Sequence, residues 1–114
     1  NDRGHWAKKA AAVAAVRKEA AYRARATVPR NLGHITTRLH YLPPDNRRRD
    51  EDNLVATAKA CWDGLVDAGI VPDDTSEYMT KIMPRIHHHE KGQKPRMWLE
   101  ITTTGSEDTN SADK

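Results

Sequence analysis

The sequence predicts a single domain of the α/β (α+β) class, a small mixed β-sheet carrying two main helices, and three observations predict it. The chain has 114 residues, enough for one modest core and too few for two. Two segments have helical character, an alanine-rich one reaching to about Ala26 and a second following Asp52. Three shorter segments read as strands, the first of them alternating apolar and polar residues as a half-buried strand does.

In chain order, Asn1-Asp2-Arg3-Gly4-His5-Trp6 predicts a turn, and Ala-Ala-Ala-Val-Ala-Ala-Val then favours helix. Trp6, Val13, Val16 and Ala20 fall near one face. Lys8, Lys9, Arg17, Lys18, Arg23 and Arg25 supply the rest, giving a thin amphipathic helix beside something flat. Its basic face is either solvated or applied to a DNA backbone. Val28 to Gly33 breaks the helix, and His34 to Leu42 reads as a strand with Ile35, Thr37, Leu39 and Tyr41 facing one way.

Pro43-Pro44-Asp45-Asn46 ends that strand and leads through Arg47-Arg48-Arg49 into Asp50-Glu51-Asp52-Asn53. Leu54, Ala58, Cys61, Trp62 and Leu65 then recur at helical spacing, with Asp52 or Asn53 as the N-cap and Gly69 as the stop. Glu77 to Ile86 reads as a strand that Pro84 assigns to a sheet edge. Arg96 to Thr103 reads as another, with Met97, Leu99 and Ile101 on one face and Trp98 on the other. His87 to Lys94 is expected to join the two as a hairpin loop, and residues 105–114 are expected to form a disordered tail after a domain of residues 1–104.

The net charge of +3 conceals a division. Residues 1–49 carry 12 Lys or Arg against 3 acids, whereas residues 50–78 carry 8 acids against Lys59 alone. A basic chain with an acidic pocket suits a phosphate backbone approached by cation-binding carboxylates. Cys61 is the single cysteine, which excludes an intrachain disulfide or a cysteine zinc site and makes the cytoplasm the expected compartment. No apolar run approaches the ~18 residues of a membrane span.

Asp50 and Asp52, if both lie in extended backbone, point the same way and share one cation. Asp73 or Asp74 is the candidate third carboxylate, provided the chain returns along the second helix. Hard oxygen ligands of this kind suit Mg²⁺, with Mn²⁺ as a substitute. Lys59 lies on the same helical stripe as Asp52 and Asp63. It reads equally as a stabiliser of charge on phosphoryl oxygens and as the i, i+4 partner of Asp63. His87, His88 and His89 point in different directions on a loop and make a poor metal site, while His5, beside Trp6 and Arg3, is placed to touch DNA.

Arg-Arg-Arg-Asp-Glu-Asp-Asn-Leu resembles the RusA family of Holliday-junction resolvases, small phage and bacterial endonucleases. The resemblance runs over nearly the whole chain, from Asn1-Asp2-Arg3 and His5-Trp6 through Asp50-x-Asp52-Asn53, Lys59 and Asp63-Gly64-Leu65 to Ala68-Gly69, Asp73-Asp74 and the closing strands. It implies that Asp50, Asp52 and Asp74 are catalytic metal-binding aspartates and that Lys59 takes the place of the family's catalytic lysine. Independently of the resemblance, the arginine run Arg47, Arg48 and Arg49, the helix lysines Lys8 and Lys9, and Arg3 with His5 are the candidate DNA contacts by their charge and position. The resemblance also implies a homodimer resolving four-way junctions with Mg²⁺ in a bacterial or phage-infected cell. A nuclease of broader range, acting on flaps or single strands, and a junction-binding protein without cleavage are the alternatives. The last two strands, with Pro84 at an edge and Trp98 turned away from Met97, Leu99 and Ile101, are candidates for the two-fold interface.

Overall fold

The computed structural model describes residues 2–103, apart from the side chains of Asp2, Arg3, His5 and Trp6. The tail expected at 105–114 lies outside the described residues. The elements are α1 (Asp2–Thr27), β1 (Ile35–Leu42), a short 3₁₀ turn (Glu51–Leu54), α2 (Val55–Asp67), β2 (Met79–Ile86) and β3 (Arg96–Thr103). They form one α+β domain in which both helices lie against one face of a three-stranded mixed sheet. The opening turn expected at residues 1–6 is helical instead from Asp2 onward, so the alanine-rich segment propagates back through Gly4.

β1 is the central strand, parallel to β2 and antiparallel to β3. Its alternation follows the sequence reading as far as Leu39, with Ile35, Thr37 and Leu39 buried beneath the helices, but breaks at the strand end, where Tyr41 is half-buried and Leu42 is buried in its place. Pro84 does sit in an edge strand. Opposite it the register slips, Arg38 pairing with Ile82 and His40 with Arg85, so β2 carries one extra residue where the proline has no N–H to give. The expected β2–β3 hairpin does not form. The two strands flank β1, the most deeply buried of the three, and residues 87–95 cross its end. Asn46 pins that crossing by accepting from the His89 amide at 2.6 Å and donating to the His89 carbonyl at 2.8 Å.

The predicted face of α2 is the core: Ala58, Cys61, Trp62 and Leu65 are buried with Ile35, Leu39, Ile70, Val71 and Met79. Burial pushes the Cys61 thiol up to about 11, so it stays neutral as a packing residue. Gly69, at φ +79°, ends the helix in the left-handed conformation expected of it. Its carbonyl and that of Ile70 accept from Asn31 and Leu32, docking the loop before β1 onto the loop after α2.

α1 crosses α2 at Gly64, where a Cβ would stand 2.6 Å from the Arg17 carbonyl oxygen and 2.8 Å from Ala20 Cβ. Small residues on both helices allow that approach. Among the described side chains of α1, burial is confined to its second half, at Ala21 and Ala24 with Val16 and Ala20 partly covered, while Val13 is exposed. The helix is twice as long as α2, and its first half carries exposed Lys8 and Lys9. Arg17 ties the helices together by donating Nε and Nη2 to the two Asp67 oxygens at 2.7 and 2.9 Å. No helix among the described residues is long and apolar enough to cross a membrane.

Candidate functional site

The acidic segment folds around the start of α2. Asp50 is extended (φ −112°, ψ 129°), its side chain accepts from the Asp52 amide at 3.3 Å, and its carbonyl accepts from the Asn53 amide at 3.0 Å. Asp50 is thus the cap, two or three residues earlier than the sequence suggested, because a 3₁₀ turn precedes the α-helix. Only one of the two aspartates is extended, so strand alternation is not what relates them. Both are exposed at the helix entrance, where the unpaired amides of the first turn favour negative charge.

After Gly69 the chain returns along α2 and delivers Asp74 to Lys59. Lys59 Nζ lies 2.6 Å from Asp74 Oδ2 and 2.8 Å from Asp63 Oδ1, and Lys81 Nζ on β2 lies 3.1 Å from the same Asp74 oxygen. Lys59, which Asp74 meets, follows Asp52 by seven residues, a helical rise of about 10 Å between their backbones. Asp74 is the half-buried member, with a fifth of its side chain exposed. Asp73 is exposed and turns its own carboxylate onto the Asp74 amide at 2.8 Å, so it shapes the loop. Of the two candidates it is Asp74 that reaches the cluster.

Two ammonium groups on one carboxylate have a clear electrostatic result. Hydrogen bonds from Lys59 and then Lys81 hold the Asp74 carboxyl down at about 2. Asp63 and then Asp74 hold Lys59 above the ordinary lysine value, so it is protonated at neutral pH and acts as a cation, not a base. Lys81 also stands 5.4 Å from the centre of the Trp62 ring, which anchors it from the core side. Sequence reading missed Lys81, since only the β1–β2 register, with Lys81 opposite Thr37, brings it over α2.

The arginine run divides. Arg49 is mostly buried and donates to the Asp45 and Arg47 carbonyls at 2.8 and 3.2 Å while pairing with the Asp45 carboxylate at 2.9 Å. It braces the loop. Arg47 and Arg48 are exposed beside Asp50, with Arg47 Nε 3.6 Å from Asp45 Oδ1. Arg3 and His5 have side chains outside the described residues.

The donor chemistry of Asp50, Asp52 and Asp74 suits a hard divalent cation, which commonly takes one or two carboxylates together with water and phosphate oxygens. Among the described residues, no three His, Cys, Asp or Glu side chains converge to hold a metal ion. Asp50 and Asp52 are exposed at the helix entrance, whereas Asp74 is engaged by Lys59 and Lys81 and does not join them. No protein-family model, curated protein or solved structure matches the chain.

A second cluster lies on the sheet face away from the helices. His40, His87 and Trp98 form a triangle of nearly parallel rings, with centroids 5.0, 5.0 and 5.1 Å apart. His40 Nδ1 is 2.8 Å from His87 Nε2, and His40 Nε2 is 2.7 Å from Glu100 Oε1. The sequence did turn Trp98 away from Met97 and Leu99; the pairing of His40 with both Arg85 and Trp98 was not legible without the register.

Proposed function

We propose that the protein is a Mg²⁺-dependent, structure-specific endodeoxyribonuclease that resolves four-way DNA junctions by paired nicks as a homodimer. The observation that carries the reading is the Lys59–Asp74 contact: it joins the later Asp-Asp pair to the helix whose entrance bears Asp50 and Asp52, in an otherwise basic chain. The RusA-like run Arg47 to Leu54 supports the same chemistry.

Asp50 and Asp52 would hold the cation, which supplies a polarised phosphoryl group and a hydroxide for in-line attack. Lys59, held protonated by two carboxylates, presents positive charge on the flank where negative charge grows as the phosphodiester reacts. When a phosphate enters, it competes with Asp74 and Asp63 for that ammonium. Arg47 and Arg48 meet neighbouring phosphates and set the register of the strand without reading its sequence. Lys8 and Lys9, exposed on the first half of α1, extend the basic surface.

The test is a parallel digestion of a four-way junction, a flap and linear duplex, with and without Mg²⁺. Symmetric nicking of the junction in Mg²⁺ alone is the expected result. Equal cutting of flap and junction would replace resolution by a general nuclease, and tight junction binding without cutting would leave a binding protein.

A further inference from the structure

The open face of the sheet is built differently from the acidic site and nothing in the proposed cleavage uses it. Cross-strand partners share a face, so the register sets Arg38 and His40 of β1, Ile82 and Arg85 of β2, and Trp98 and Glu100 of β3 on one surface. Arg96 stacks its guanidinium over Trp98, 4.5 Å from the ring centre. His87 is held below its ordinary value first by burial and then by His40, Arg85, Arg38 and Arg96 around it. Three arginines, one from each strand, thus surround a platform of three rings, and the acid facing them is Glu100, which is engaged by His40.

We propose that this face binds single-stranded DNA, unpaired bases stacking on His87, Trp98 and the Arg96 guanidinium. The largely buried His40, its side chain 12% exposed, backs them from beneath, while Arg38, whose Nε donates to the Met83 carbonyl, and Arg85 flank the phosphates. Aromatic rings give a sequence-tolerant surface for bases, and guanidinium groups serve both as phosphate partners and as further stacking planes. Charge complementarity selects a polyanion over a second copy of the chain, because a two-fold pairing of these faces would bring arginine against arginine. The choice of DNA over RNA rests on the nuclease reading; the chemistry of the face does not. Bound this way, an unpaired arm would be held on one side of the sheet with the acidic site on the other.

The experiment measures fluorescence anisotropy of a labelled oligothymidylate without Mg²⁺, so cleavage plays no part, using the full chain, Trp98→Leu and the pair Arg85→Ala with Arg96→Ala. Trp98→Leu should weaken binding roughly tenfold or more, and the arginine variant should flatten the salt dependence by about 0.7 for each phosphate no longer neutralised. Circular dichroism verifies that each variant is folded. Wild-type affinity in both variants would overturn the proposal, as would tighter binding of the matching RNA, or a self-association of the free chain that Trp98→Leu abolishes. Retained single-strand binding by a chain that never cuts junctions would sink the nuclease reading and leave this face intact.

Discussion

At the scale of residues, the acidic cluster is a charge balance that a substrate must enter. Lys59 is half exposed, and exposed ion pairs of this kind contribute under about 1 kcal/mol, so Lys59→Ala should lower thermal stability only modestly, Lys81 still holding Asp74. Its loss should instead slow cleavage by about 10²–10³-fold with junction affinity retained, the mark of a group that acts on the transition state. Steady-state cleavage beside a melting curve separates the two; a large drop in melting temperature with normal turnover of the folded fraction would make it a structural lysine. Asp74 gives a pH signature. Its folded value of about 2 lies below the ~3.9 of an unfolded aspartate, so its ionised form stabilises the fold fully above the unfolded value and loses that contribution as pH falls toward the folded one. Asp74→Asn should therefore be less stable than wild type at neutral pH, with the gap closing between about pH 5 and about pH 2. Urea unfolding at stepped pH reads it directly, and a pH-independent gap would deny the double lysine contact.

At the scale of elements, the alternations were legible and the partnerships were not. Ile35, Thr37 and Leu39 on β1 and Ala58, Cys61, Trp62 and Leu65 on α2 announce their buried sides by period, because burial selects residue type position by position. The β2–β1–β3 order carries no such local signal: Arg96 to Thr103 looks the same whether it pairs with β2 or crosses to β1. The 3₁₀ turn was equally hidden, since Asp50, Asp52 and Asn53 are all good caps and only the backbone decides among them. The α1–α2 crossing was silent for another reason, that Gly64 inside a helical pattern looks merely weak. It is a point of close approach: a Cβ there meets the Arg17 carbonyl oxygen, which is backbone and has no rotamer to yield. Gly64→Ala should thus destabilise by about 1–3 kcal/mol in spite of alanine's better helix propensity. Denaturant titration tests it, and a stabilised variant would mean that the helices part freely.

At the scale of the whole molecule, one small domain presents one acidic entrance, and two nicks across a junction call for two. A two-fold dimer is the simplest supply. Edge strand β2 is guarded by Pro84 and its extra residue, whereas β3 runs eight residues without proline, which makes its edge the open one for pairing with a second copy. Sedimentation should give a dimer of the free protein or of its DNA complex; a monomer in both, leaving singly nicked product, would contradict paired resolution. The fold class and most of the acidic site could be read from residue order, since Asp50, Asp52 and Lys59 share one short segment. Lys81 and the ring platform could not, because they depend on strands that meet only after folding. The central claim is that the entrance of α2 is a cation site for phosphodiester cleavage. Its most direct measurement is Mg²⁺-titrated cleavage of a four-way junction carried on a supercoiled plasmid, by the wild-type chain and by Asp52→Asn. Cleavage that rises with Mg²⁺ in the wild type and vanishes in the variant, while junction binding stays equal or tightens, is the predicted result; cleavage by Asp52→Asn at the wild-type rate would contradict it.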